Sequence, residues 1–135
     1  MLTIGFIKRN QNAFLIMVYI VNIIATAVIG SITLYSPSSA SRYVFNEAYK
    51  ANDSMRVSGS FWIGVGITSL IGLLRPMRFC PIMVVILIYK VIFLVVEVIP
   101  KMMRNEAVPI GLTVCFVVYV VFLPFIIPWK HLLSA

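Results

Sequence analysis

The sequence predicts an all-α integral membrane protein, a bundle of four transmembrane helices with one short interfacial helix in the first loop. Two observations support this fold class. The 135 residues are 61% hydrophobic with a mean hydropathy of +1.05, and the apolar residues gather into four runs close to the roughly 20 residues that span a bilayer. We expect the spans at about 13–34, 58–74, 81–99 and 109–128, within a single domain 1–135.

The first span follows Lys8 and Arg9, and it resembles a signal peptide at first sight. A basic start, an apolar stretch and small residues such as Ala25-Thr26-Ala27 are also the parts of a cleaved leader. The apolar stretch continues past these small residues to residue 34. We therefore expect a membrane-spanning helix here.

Prolines and basic residues bound the other three spans. The second span ends at Arg75 and Pro76, where proline stops a helix and arginine reaches the headgroups. The third lies between Pro81 and Pro100, and the fourth contains Pro124, which predicts a bend. Because the connections between these spans are short, we expect spans two, three and four to be antiparallel neighbours.

The one sizeable loop, about 35–57, contains a short amphipathic pattern. Val44, Phe45, Ala48 and Tyr49 recur at helical spacing, with polar residues between them. This pattern predicts one or two helical turns lying at the membrane interface. The segment would act either as a lid over the bundle or as a docking surface for a partner.

The formal charge of +7 does not indicate nucleic-acid binding, since the eleven Lys and Arg residues lie mostly at span ends. Basic residues in that position set orientation and contact lipid headgroups. Five fall on each side of the predicted membrane, so their number does not decide the orientation. On the side that holds the two termini these residues cluster more tightly beside the membrane, which favours a multi-pass protein with both termini in the cytoplasm.

Small residues predict where the helices approach one another, because lipid supplies no hydrophobic force between them. The second span has small residues at strict four-residue spacing, flanked by Gly59 and Gly66, and the first has a similar ridge. We expect the two ridges to pack inside the bundle, with oligomerisation as the alternative. The ridges are Ser60, Gly64, Thr68 and Gly72 on span two, and Asn22, Thr26 and Gly30 on span one.

Lys90 lies at the centre of the third span, where an unpaired charge costs at least about 2.5 kcal/mol. It must face inward and either find acceptors or lose its proton. Polar residues on the other spans fall at similar depth and predict a buried cluster of Asn22, Thr26, Thr68, Lys90 and Tyr119. Toward one membrane surface, Glu97 is expected to pair with Arg56 or Lys101.

Three interpretations of the Lys90 cluster remain open. It could fix the helix register as a structural network, bind a proton, lipid headgroup or quinone, or pair with an acid of another subunit. Residues for acid–base catalysis and metal coordination are not grouped, since His131 stands alone and no carboxylate dyad occurs. The sequence therefore predicts neither an enzyme nor a metal site.

The stretch from Arg56 through Gly59, Gly64, Gly66 and Gly72 resembles the second helix of DoxX-like small membrane proteins. Those proteins open this helix with an arginine and a glycine three residues later, and the four-span layout and chain length are also similar. The resemblance implies a compact four-helix bundle, in some relatives beside quinone-linked or thiol-linked oxidoreductases. The cysteine pair of the redox-active relatives is missing, and no family catalytic residue corresponds to a position here.

Two functions follow as expectations. The first is a non-catalytic accessory subunit of a larger membrane complex, in contact with lipids and other membrane subunits and without nucleic acid or a required cofactor. A link to quinone or redox chemistry would come through the resemblance. The second is an autonomous carrier or a relay for protons or small ligands, using Lys90 and Glu97 in a wet cavity.

Overall fold

The computed structural model describes residues 5 and 9–134, and within them the chain is helical with no strand. The all-α prediction with several long apolar helices is confirmed. The helices are α1 (Gln11–Tyr35), α2 (37–44), α3 (Ser54–Leu74), α4 (Pro76–Met103), α5 (Ile110–Ile126) and α6 (Trp129–Leu133).

Helices α1, α3 and α4 are long and apolar enough to cross a bilayer, with 25, 21 and 28 residues. The fourth apolar helix, α5, is shorter at 17 residues. Each predicted span falls on one of these four helices, but three helices exceed their predicted bounds, α1 only slightly, by running from Gln11 to Tyr35. α3 begins at Ser54 rather than at 58, which gives it full spanning length, and α4 extends on both sides of 81–99.

α4 continues through both prolines that were expected to bound it. Pro81 takes the first position of a helical segment, where its missing N–H is not needed. Before Pro100 the hydrogen bonding widens into a π-helical turn, Leu94–Val98. A wider turn makes room for the proline ring, which would otherwise clash with the carbonyl one turn earlier. The helix therefore reaches Met103 instead of ending at residue 99.

The short helix of the first loop begins earlier in the sequence than predicted. Helix α2 covers 37–44, beginning at Pro37. The predicted helical stretch from Val44 to Tyr49 is wrong, because Asn46 and Glu47 have φ of 50° and 60°. These left-handed values end a right-handed helix. The segment turns back, so that the rings of Phe45 and Tyr49 meet edge to face at 5.4 Å.

Helices α1 and α3 pack against each other through glycines. A Cβ added to Gly59 would lie 2.6 Å from Leu34 N and 2.9 Å from Gly30 O, both backbone atoms. A Cβ on Gly72 would lie 2.6 Å from the ring of Tyr19, and one on Gly66 would collide with the Thr26 hydroxyl. Pairs whose numbers run in opposite directions along the two helices describe an antiparallel contact.

Gly64 and Ser60 do not belong to this contact. Both are exposed, and no atom of the described residues lies within 4 Å of a Cβ built on Gly64. The internal packing predicted for the ridge from Ser60 to Gly72 is therefore found only at Gly72, together with the flanking Gly59 and Gly66. The rest of that ridge faces away from the chain.

Two apolar clusters fill the molecule, with a polar layer between them. One cluster groups residues such as Tyr19, Ile86 and Leu123, toward the N- and C-terminal ends of the chain. The other groups Phe45 and Trp62 with Phe116, among others, under the first loop. Along α4 and α5, the residues between the two clusters include Lys90 and Tyr119.

Side chains tie the helix ends together at the first cluster. Tyr19 Oη donates a 2.9 Å hydrogen bond to the carbonyl of Pro76, where α4 begins. Gln11 Nε2 donates to the carbonyl of Ile126, where α5 ends. Trp129 Nε1 donates at 2.7 Å to the carbonyl of Pro124. The carbonyls of Pro124 and Ile126 lie in the last turn of α5, where carbonyl groups lack an intrahelical partner.

Candidate functional site

Lys90 is buried as predicted, with 6% of its surface exposed. Its ammonium lies over three aromatic rings, at 3.7 Å from the ring centre of Phe116, 4.5 Å from Tyr119 and 4.9 Å from Tyr89. The negative face of an aromatic ring attracts a cation, most strongly where water is excluded. The lysine is therefore held in an aromatic enclosure rather than by oxygen acceptors.

Asn22 and Tyr119 complete the central layer. Tyr119 Oη donates a 2.7 Å hydrogen bond to Asn22 Oδ1, which links α5 to α1. The other amide atom, Asn22 Nδ2, is buried and finds no hydrogen-bond partner within the described residues. Because the Tyr119 ring also faces the Lys90 ammonium, three of the five predicted residues form one connected layer.

The two threonines of the predicted cluster stay with their own helices. Thr26 Oγ1 donates at 2.6 Å to the carbonyl of Asn22, one turn earlier. Thr68 Oγ1 donates at 2.9 Å to the carbonyl of Gly64. A threonine that bonds back to its own helix is satisfied without a partner from another helix. Thr68 is thus outside the layer, and Thr26 touches it only through the backbone of Asn22.

Glu97 anchors the first loop to α4. Its Oε1 lies 3.0 Å from Lys101 Nζ and accepts a 3.0 Å hydrogen bond from Tyr49 Oη. The Lys101 ammonium also sits 3.9 Å from the centre of the Tyr49 ring. Burial, together with the contact to Glu97, raises the pKa of Tyr49 above its ordinary value, so the phenol remains a donor. The predicted pairing of Glu97 with Lys101 is present.

Arg56 does not join this pair. Its Nε lies 3.4 Å from Asp53 Oδ1, and its Nη1 donates at 2.8 Å to the carbonyl of Leu34. The guanidinium therefore connects the start of α3 to the end of α1. Since Arg56 already has these partners, its predicted role at Glu97 is not the arrangement found.

Lys90 and Glu97 have separate sets of partners. The contacts of Lys90 come from Tyr89, on its own helix, and from rings of α5, whereas those of Glu97 come from the first loop and from Lys101. A proton relay between the two would need a connecting chain of polar groups or water. The described contacts supply none between these two side chains, so this geometry does not favour the relay.

The sequence indicated Tyr119 as a neighbour of Lys90 but not Phe116 or Tyr89. The available signal was the spacing of Phe116 and Tyr119, three residues apart on one face of α5, with Tyr89 beside the lysine itself. Knowing that these rings meet Lys90 requires the rotation of α5 about its axis, which composition does not fix. Tyr49 was likewise assigned to a helix and not to Glu97.

A cleft runs between α3 and α4 under the first loop. Its larger part has a volume of about 550 Å³ and is lined by Tyr49 and Glu97, with Tyr89 and Phe93 deeper in. A second part of about 350 Å³ continues along α3 past Trp62. It shares Phe45, Ser58, Tyr89 and Phe93 with the first.

Comparison with known proteins adds no family. No protein-family model, curated protein or solved structure matches this chain. The resemblance to DoxX-like proteins therefore stays a prediction. No group of three or more His, Cys, Asp or Glu side chains that could hold a metal ion occurs among residues 5 and 9–134.

Proposed function

We propose that the chain is a non-catalytic four-span membrane protein that serves as an accessory subunit, bound through α3 to a transmembrane helix of another protein chain. The supporting observation is the uncovered small-residue face of α3. Gly64 has no neighbour within 4 Å of its Cβ position, and Ser60 and Thr68 lie one turn before and after it. In a bilayer, small residues on an outer face let a second helix approach closely.

The same helix already uses this mode of contact inside the chain. Gly59 and Gly66 bring α1 within backbone distance on one side of α3. A glycine inside a helix costs roughly 0.5–1 kcal/mol relative to alanine. Gly59 repays that cost through close packing with α1, whereas Gly64 has no contact within the described chain that does so. A partner helix over Gly64 would supply the missing contact.

The hydroxyl groups of this face need no partner of their own. Ser60 Oγ donates at 2.8 Å to the carbonyl of Arg56, and Thr68 Oγ1 donates to the carbonyl of Gly64. The face therefore offers a shallow, hydrogen-bond-satisfied surface between larger apolar side chains such as Phe61 and Ile67. Such a surface suits van der Waals packing against another helix more than binding of a polar ligand.

Gly64→Leu tests the assignment. We expect the full-length protein to be extracted by mild detergent with a second protein chain, and the particle mass measured intact to fall to that of the single chain in the variant. The matched control is Ala27→Leu, an equivalent enlargement at an exposed position of α1, which should leave the particle mass unchanged. Extraction of the parent as a monomer or a homo-oligomer would contradict the accessory role.

A further inference from the structure

The cleft between α3 and α4 is amphipathic along its length. Its polar groups gather at one end, beneath the first loop, and comprise Tyr49, Asn52, Ser54 and Glu97. The deeper lining is aromatic and includes Tyr89, Phe93, Phe116, Phe61 and Trp62, with Phe61 meeting Tyr89 edge to face at 5.2 Å. Its volume of about 550 Å³ for the larger part lies within the roughly 300–1,000 Å³ typical of ligand sites.

The cleft is open sideways through residues that are both lining and exposed. Val57 and Phe61 of α3 are 73% and 43% exposed, and Ile92 and Val96 of α4 are 55% and 67% exposed. These apolar edges would border the acyl chains if α3 and α4 span the membrane. A molecule could then enter from the bilayer without crossing water.

Charge at the polar end selects the headgroup. Glu97 is the one ionised side chain among the described residues that line either part of the cleft. Its hydrogen bond with Tyr49 and its ion pair with Lys101 both use Oε1. Oε2 thus remains able to accept a hydrogen bond from a ligand, and Lys101 supplies a positive charge close beside it. A headgroup with an ammonium donor next to an anionic group complements this pair.

We propose that the cleft binds a phospholipid with a primary amine headgroup from the surrounding bilayer. One acyl chain lies along the aromatic walls, and the ammonium donates to Glu97 Oε2, with the phosphate toward Lys101. The proposal rests on the membrane embedding of α3 and α4 but not on the partner helix at Gly64, although Phe61 borders both surfaces.

Trp62 reports on the cleft directly, because it lines the deeper part. The chain has two tryptophans, so Trp129→Phe leaves Trp62 as the single one. In vesicles of phosphatidylcholine, brominated acyl chains quench tryptophan on contact. We expect brominated phosphatidylethanolamine to reach half-maximal quenching of Trp62 at a mole fraction several-fold lower than brominated phosphatidylcholine does.

Two further variants keep the test decisive. Glu97→Gln should bring the two quenching curves together, while Glu106→Gln, on the same side but outside the cleft, should leave them apart. Ser58→Leu, which fills the space shared by both parts, should reduce quenching by either lipid. Three results would overturn the proposal. The two quenching curves could coincide in the Trp129→Phe protein, or Trp62 of that protein could be protected from both lipids. The preference for the ethanolamine lipid could also persist in Glu97→Gln.

Discussion

Lys90 is tolerated at the centre of the molecule because several weak attractions replace water. An ammonium over an aromatic face gains roughly 0.5–1 kcal/mol when exposed and about 2 kcal/mol when desolvated. Three rings lie within 4.9 Å of the Lys90 ammonium. Together they offset a cost of at least about 2.5 kcal/mol for a charge at the bilayer centre. This arrangement is a structural enclosure, with the nearest ring, Phe116, as its main contact.

A double-mutant cycle checks that contact. Lys90→Met and Phe116→Leu should be coupled by about 0.5–2 kcal/mol, because each change removes the same cation–ring attraction. The quantity is the free energy of unfolding in mixed detergent micelles. A second cycle with the exposed Phe122 is the control. The effects of Phe122→Leu and Lys90→Met on the free energy of unfolding should be additive. Additivity at Phe116 as well would show that the ring does not hold the ammonium.

At the same scale, sequence reasoning located depth better than partners. The position of Lys90 in an apolar run was enough to predict its burial, since a charge there has no route to water. Its contacts with Phe116 and Tyr119 depend on the relative rotation of α4 and α5. Of the two partners expected for Glu97, Lys101 is found and Arg56 is not, because residues four apart on one helix lie on the same face.

At the scale of elements, the contact between α1 and α3 follows heptad-like spacing. The buried residues of α3 follow one another at steps of three or four, which keeps one face toward the interior. A strict four-residue step instead advances by about 40° each time around a helix of 3.6 residues per turn. The ridge from Ser60 to Gly72 therefore winds around α3 and meets α1 only at Gly72. The buried positions are Met55, Gly59, Trp62, Val65, Ser69 and Gly72.

Alanine at two glycines of α3 separates the inner face from the outer one. Gly59→Ala should lower the free energy of unfolding by about 1–3 kcal/mol, because its methyl would press on the backbone of Leu34 and Gly30. Gly64→Ala should cost nothing in the isolated chain and gain up to roughly 1 kcal/mol from helix propensity. Unfolding of the purified single chain in detergent measures both. Equal losses at the two positions would contradict this assignment of faces.

For the whole molecule, the two ends differ in charge more than the count of basic residues suggested. All four acidic residues of the sequence lie at the loop end, where ion pairs join Asp53 to Arg56, Glu97 to Lys101, and Glu106 to Arg104. The Arg104 side chain lowers the pKa of Glu106, which keeps that carboxylate ionised. The opposite end has basic residues and no acid to neutralise them. In the sequence they are Lys8, Arg9, Arg75, Arg78 and Lys130.

The placement of the basic residues predicts the topology. The positive-inside rule counts Lys and Arg rather than net charge, and the basic residues at the end with Arg75 and Lys130 cluster more tightly beside the helix ends. This end should therefore be cytoplasmic and the loop end external. Single cysteines at Asn52, Asn105 and Ser134, in a chain with Cys80 and Cys115 replaced by serine, can be labelled in intact cells with a membrane-impermeant maleimide. Asn52→Cys and Asn105→Cys should react, and Ser134→Cys should react only after lysis.

The same labelling counts the membrane crossings. If positions 52 and 105 are accessible from outside and position 134 is not, α5 must cross the membrane, although it has only 17 residues. If all three cysteines were labelled from outside, α5 would not cross the membrane, and the four-span bundle would be contradicted. The number of apolar helices could be predicted from hydropathy, whereas whether a 17-residue helix crosses depends on tilt and local bilayer thickness.

One residue, Arg75, separates α3 from α4, with φ of −143° and ψ of 72° between Leu74 and Pro76. So short a connection does not allow one helix to remain in water while the other enters the membrane. We therefore expect α3 and α4 to insert together during biosynthesis as one helical hairpin, with Arg75 at its tip remaining on the cytoplasmic side. A flexible polar insertion at this connection would allow α3 and α4 to enter the membrane one after the other.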